Sequence, residues 1–196
     1  MDNENEKLTK IRKSSHYGRI ASRVLLIIGI VAVVLSLATG IGILSSNGRF
    51  DEWIQSQDTE VQNKIGSADL FNIDLKLGSP TDLHLESDIP AVQKEIAEHP
   101  YAVFYGVYIL AISLLAFYYC VVTFMFMRAF KIIENSPSPF TPEVKKGLLI
   151  PLIGVAVIVA VTISGGFAII AALLIWVINS VLDYGISLQK QYDETL

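Results

Sequence analysis

Apolar positions in this chain gather into long blocks, set apart by polar stretches. The first block, Val24 to Leu44, follows a polar segment (1–23) that carries Lys7, Lys10, Arg12, Lys13, Arg19 and Arg23. A helix needs about 20 apolar residues to cross the hydrocarbon of a bilayer, and this block supplies them. A cleaved signal peptide has an apolar core of only about 7–15 residues. The longer block therefore predicts an uncleaved anchor, with a signal peptide cut near Ala38 or Ser45 as the alternative. A second block, Tyr101 to Met127, ends in Arg128 and Lys131, residues suited to a water-facing helix end. The last apolar stretch runs unbroken from Gly147 to Leu188. As one helix it would be about 63 Å long, twice a bilayer core, so it must fold back. Ser164-Gly165-Gly166 is the expected reversal, because glycine accepts the positive φ of a tight turn. Four spans result: 24–44, 101–127, 147–163 and 167–188.

Between spans one and two, residues 45–100 form a polar insert with its own pattern. Phe50, Trp53, Ile54, Val61 and Ile65 fall at a loose helical spacing, which predicts a helix over Phe50 to Ile65. Phe71, Ile73, Leu75 and Leu77 alternate with Asn72, Asp74 and Lys76, as in a half-buried strand. Gly78-Ser79-Pro80 signals a turn, and Leu83 and Leu85 around His84 offer the second arm of a hairpin. Asp88 suits the cap of a short helix with Pro90 in its first turn, ending near Glu98. Pro100 then breaks that helix or opens span two. The fold class expected is an all-α membrane protein: a four-helix transmembrane bundle with a small extracytoplasmic α+β insert between spans one and two.

Composition supports the membrane class. The chain has 196 residues, 52% hydrophobic and 17% charged, against about 25% charged in a typical soluble domain. Net charge is −4, unevenly spread: the 45–100 insert holds eleven acids and four bases, about −7, and the remainder is net positive. Lys and Arg border the spans at 1–23, in the 128–146 loop (Arg128, Lys131, Lys145, Lys146) and in the 189–196 tail (Lys190). The positive-inside rule puts these segments, with both termini, in the cytoplasm and the insert outside. A single cysteine, Cys120, allows no intramolecular disulfide.

The 128–146 loop contains a helix start. Thr141 suits the N-cap, Pro142 the first helical position, and Glu143 the positive end of the helix dipole. Phe130-Lys131-Ile132-Ile133-Glu134, a short linker and Pro139-Phe140-Thr141-Pro142-Glu143-Val144 form one recognisable motif. Tyr184-Gly185, Leu188-Gln189 and Asp193-Glu194-Thr195-Leu196 form another. With four spans, the chain resembles the bacterial membrane family known as domain of unknown function 2975. The resemblance covers the spans and cytoplasmic elements and leaves the acidic insert outside. It implies no assigned activity. It does imply a neighbourhood of small helix-turn-helix regulators, hence a membrane partner of a transcription factor. On that footing Phe140, Thr141, Glu143, Tyr184 and Gly185 are the candidate partner-binding residues.

Reactive chemistry is sparse. Asp183 is the one acid within the apolar blocks, and intramembrane acids are costly and often functional. It falls about 24 Å along span four, near the cytoplasmic interface. There an interfacial acid can pair with a base such as Arg128. Asn179, one turn earlier, makes a small polar site with it conceivable. His16, His84 and His99 are too scattered for a zinc site of three or four ligands, so no metal or cofactor is expected. No nucleophilic triad, phosphate loop or His-Glu-x-x-His stands in the sequence, so no enzyme is expected. The basic N-terminus reads as an orientation signal rather than a nucleic-acid contact. Tyr101, Phe104, Tyr105 and Tyr108 read as an interfacial aromatic belt, and Trp176 as a residue packed between helices. Ala156, Ala160 and Ser164, and likewise Ser36 and Gly40, make small-residue ridges for close packing within a protomer or in a homo-oligomer.

The expectation is thus a non-enzymatic signalling or regulatory protein of a bacterial plasma membrane, embedded in the lipid bilayer and holding a small helix-turn-helix regulator. The alternative is a small transporter or a peptide-resistance (immunity-type) membrane protein. Its polar path would use Asp183, Asn179 and the span-two tyrosines. An enzyme acting on lipid ranks last.

Overall fold

The computed structural model describes residues 2–46, 48–56, 67–70, 73–76, 87–163 and 165–194. Their order is α1 (Asp2–Leu44), α2 (Arg49–Gln55), β1 (Ser67–Leu70), β2 (Ile73–Lys76), α3 (Pro90–Glu98), α4 (Pro100–Asn135), α5 (Pro142–Thr162) and α6 (Gly165–Glu194). Four of these helices, α1, α4, α5 and α6, are long and apolar enough to cross a membrane. Two units divide the chain: Met1–Ile30 with Phe117–Leu196, and Val31–Ala116.

The four long helices extend past the apolar blocks that predict them. At 1.5 Å per residue α4 is about 54 Å long, well beyond a hydrocarbon core of about 30 Å. Only residues 136–141 of the 128–146 loop lie outside helices. Large apolar side chains stay exposed along the spans, among them Val161 at 73% and Leu114 at 70%. In water that surface would drive aggregation, whereas lipid tails are its natural solvent. The hydroxyls inside the spans answer the same constraint. Ser36 donates to Val33 O at 3.0 Å, Thr39 to Leu35 O at 2.9 Å, Thr123 to Tyr119 O at 2.9 Å, and Ser180 to Trp176 O at 3.0 Å. Each is satisfied by its own helix, as a hydroxyl away from water must be.

In the first unit, α1 and α4 approach at small residues. A methyl group at Gly18 would lie 3.0 Å from the Phe130 ring, and one at Gly29 would lie 2.7 Å from Cys120 Sγ. Helix α5 presents Val144, Gly147, Pro151 and Gly154 to α4, a stripe with spacings of three and four residues. Val144 and Pro151 are buried. A Cβ at Gly154 would lie 2.8 Å from Val122 Cγ2. The Tyr118 hydroxyl donates to Gly154 O at 3.4 Å. Ala156 and Ala160 of α5 meet Ala168 and Ala172 of α6 along an apolar groove of about 300 Å³. Ser164 lies outside the described residues.

The chain folds back between α5 and α6 as expected, although Gly165 belongs to α6. Helix α5 ends at Thr162 with Ile163 as its C-cap, and Gly165 already opens α6. The positive-φ glycine among the described residues is instead Gly48, at φ 83°, the N-cap of α2. Trp176 is also corrected: it is 66% exposed rather than packed between helices. An indole on a lipid-facing span needs no protein partner for its apolar body.

In the second unit, Gly40 and Gly106 let α1 and α4 touch. A Cβ at Gly40 would lie 3.0 Å from Leu110 Cγ and 3.3 Å from the Gly106 carbonyl. The insert keeps the predicted helix start at Phe50, but that helix stops at Gln55. Val61 and Ile65 lie outside the described residues. Helix α3 carries Pro90 in its first turn as expected, yet its N-cap is Ile89, not Asp88, and no side chain caps it. Gln93 Oε1 instead accepts from Ser87 N at 2.8 Å.

The strands need correction too. β1 pairs antiparallel with β2, Leu70 opposite Ile73 and Ser67 opposite Lys76. The arm expected at Leu83 and Leu85, and the Gly78-Ser79-Pro80 turn, lie outside the described residues. Pairing across two intervening residues closes a shorter loop than pairing across 78–82, at lower entropic cost. The described residues do not support an α+β domain: their one sheet is this two-stranded pair, which is marginal alone.

Candidate functional site

Residues 136–141 cross from α4 to α5 and join several polar groups of the first unit. Thr141 caps α5, its hydroxyl accepting from Val144 N at 3.2 Å, with Pro142 and Glu143 in the first turn. Here local sequence chemistry and structure agree. Phe140 lies against α6 at Gly185, where any added Cβ would fall on the ring. Only glycine leaves room for this contact. Ser138 Oγ donates to Gln189 Oε1 at 2.5 Å, one turn further along α6. The linker is thus held on α6 by a steric fit and a hydrogen bond.

Asp183 sits on the same helix two residues before Gly185. Its Oδ1 accepts from Lys145 Nζ at 2.5 Å, and its Oδ2 from Asn179 Nδ2 at 3.3 Å. A base does meet the acid as expected, but it is Lys145 and not Arg128. Lys145 follows the Thr141 cap by one turn, which aims it at α6. The carboxylate is 54% exposed and the ammonium 23%, so the pair stands at a wet helix end rather than in a dry core.

A third cluster was not visible in the sequence. Glu134 Oε1 lies 3.0 Å from His16 Nδ1, and its Oε2 lies 3.1 Å from Arg19 Nη1. Arg19 Nη2 is 3.3 Å from His16 Nδ1. One turn earlier on α1, Arg12 Nη2 donates to Ser136 O at 3.1 Å. His16 is therefore part of a charged clasp and not a scattered surface histidine. The missed signal is the i, i+4, i+7 spacing of Arg12, His16 and Arg19 on one helix face.

Of the partner-binding candidates, Phe140, Thr141 and Gly185 come together in this way. Glu143 lines an open groove of about 660 Å³ with Lys131, Asn135, Ser136, Thr141 and Pro142. Tyr184 is 66% exposed and does not join the Phe140 contact. No group of three or more metal-binding side chains occurs among the described residues.

The second unit has its own cluster. Asp51 is buried and accepts from Tyr101 N at 2.9 Å and Ala102 N at 3.3 Å. It caps α4 from another helix, which Pro100 cannot do. Phe104 and Tyr105 are buried, and Tyr105 meets Phe50 edge-on at 6.0 Å. Phe50 in turn lies 5.8 Å from Trp53. These two span-two aromatics pack inward against each other and α2, rather than forming a belt that faces headgroups. Aromatic pairs gain by edge-to-face packing, which outweighs an interfacial position here.

Four helices long and apolar enough to cross a membrane, with large apolar side chains exposed along them, make this a multi-pass membrane protein in class. No family model, curated protein or solved structure matches the chain.

Proposed function

We propose that this chain is a non-enzymatic regulatory protein of a bacterial plasma membrane that holds a small cytosolic helix-turn-helix regulator. The observation that carries the reading is the platform built by three separate segments. Residues 136–141, α6 from Asp183 to Gln189, and the basic face of α1 are tied by the Phe140–Gly185 contact, the Ser138–Gln189 hydrogen bond and the Arg12–Ser136 bond. Phe140 remains 39% exposed, and Tyr184 66%. Two exposed aromatic side chains on a polar, fixed surface are the composition of a binding hot spot.

The Lys and Arg bias supports a cytoplasmic position for this platform and an outer position for the acidic insert. The motifs that resemble those of the domain of unknown function 2975 family, residues 130–134 with 139–144, and Tyr184-Gly185 with Leu188-Gln189, overlap the platform and support the choice of partner. The transporter alternative would rest on Asp183, which here pairs with Lys145 and Asn179.

The test is mass spectrometry of proteins that co-purify with the N-terminally tagged chain in mild detergent. A helix-turn-helix protein in comparable amount is expected, with at least tenfold less recovered from Phe140→Ala, about the loss expected for one hot-spot side chain. Recovery unchanged by that substitution overturns the placement.

A further inference from the structure

The groove between the end of α4 and the start of α5 lies where the apolar runs stop. Arg128 is the first charged residue after the span-two run, and Lys146 the last before the span-three run. Lys131 lines the groove, and Arg128 shares its face of α4 at a spacing of three. On α5, Lys146 follows groove-lining Glu143 by three residues. All three cations are exposed.

The other acids of this unit near those helix ends are occupied: Glu134 by Arg19 and His16, Asp183 by Lys145. Among the described residues, Arg128, Lys131 and Lys146 have no ion-pair or hydrogen-bond partner. Against them on α4 and α5 stands one carboxylate outside those pairs, Glu143, so these four side chains sum to two positive charges.

We infer that this groove is a binding site for the phosphate headgroup of an anionic phospholipid. Unpaired cations at the edge of an apolar span stand at headgroup depth, and a groove of about 660 Å³ is roomy enough for a glycerophosphate. The acyl chains then run along the exposed apolar flank of α5, past Ile150 and Ile153. The site does not depend on a cytosolic partner.

The full chain, purified in a neutral detergent, is titrated with dioleoylphosphatidylglycerol and separately with dioleoylphosphatidylcholine, and bound lipid is counted by native mass spectrometry. Phosphatidylglycerol is expected to be preferred about 25-fold, at about fivefold per unit of net charge. Combined Arg128→Gln, Lys131→Gln and Lys146→Gln abolishes the preference. Glu143→Gln raises it about fivefold, an opposite change that misfolding cannot imitate. Lys190→Gln, which removes a cation on α6 outside the groove, leaves it unchanged. Equal retention of the two lipids by the native chain, or a triple variant that keeps the preference, overturns the assignment. Displacement of phosphatidylglycerol by inorganic phosphate at equal concentration overturns it as well, since the ligand would then be free phosphate.

Discussion

The two units hold their polar helix ends by different means. In the first, the ends of four helices are joined by side chains: Glu134 to Arg19 and His16, Asp183 to Lys145, Ser138 to Gln189, and Phe140 fitted over Gly185. In the second, one buried carboxylate, Asp51, satisfies the backbone of α4 directly, and aromatic rings fill the space beside it. The ion pairs of the first unit range from half-exposed to mostly covered, and a pair that keeps contact with water is worth typically about 0–1 kcal/mol. Their number fixes geometry more than stability. The buried carboxylate is different, because removing it strands two amide protons away from water. A surface of the kind proposed here to meet a partner can use many weak, replaceable contacts. A junction that starts a membrane span needs one that is hard to undo.

That contrast can be tested with the two tryptophans, since Trp53 lies in the second unit and Trp176 in the first. Thermal unfolding in detergent is followed by fluorescence in Trp176→Phe and Trp53→Phe backgrounds. The largest effect is expected from Gly185→Val. Overpacking against Phe140 should cost about 3 kcal/mol and lower the Trp176 transition more than that of Trp53. Adding Phe140→Ala should restore most of it; no restoration would mean that the ring is not what excludes the larger side chain.

Next comes Asp51→Ala, expected to cost about 2 kcal/mol through the unsatisfied Tyr101 and Ala102 amides, seen first by Trp53. Asp51→Asn keeps an oxygen for the Tyr101 amide but sets a donor against that of Ala102, so it should cost less than Asp51→Ala without being neutral. Equal losses from both variants would mean that the bond to Tyr101 adds nothing to the cap. The smallest effect belongs to Thr141→Ala. Loss of the α5 cap should cost about 1 kcal/mol and appear in the Trp176 transition alone. A shift of both transitions would show that the two units unfold together.

Much of the fold was legible because its strongest signals are local. An unbroken apolar run of 20 residues has few fates, and a run of 42 must turn back. Thr141-Pro142-Glu143 specifies a helix start through its own hydroxyl, ring and charge, and α5 begins there. The insert was less legible. Phe71 to Leu77 alternates well enough to announce a strand, but alternation says nothing of the partner, and Ser67-Ala68-Asp69-Leu70 is a weak strand by composition. The candidate site was legible as motifs only. Phe140 and Gly185 could be singled out separately, but neither discloses that one sits on the other.

The sequence by itself thus determined the four apolar helices, the start of α5, and the unequal charge of the insert and the remainder. Each follows from the free energy of moving a short stretch of chain between water and hydrocarbon, or from hydrogen bonds within one helical turn. Only the tertiary structure decided that Lys145 rather than Arg128 meets Asp183, that His16 and Arg19 meet Glu134, and that Asp51 caps a helix 50 residues away. Those choices depend on which helix faces touch, and the rotation of a helix about its axis is set by its neighbours. Small residues such as Gly29, Gly147 and Gly154 set it here, by letting particular faces come close enough to bring the charges together.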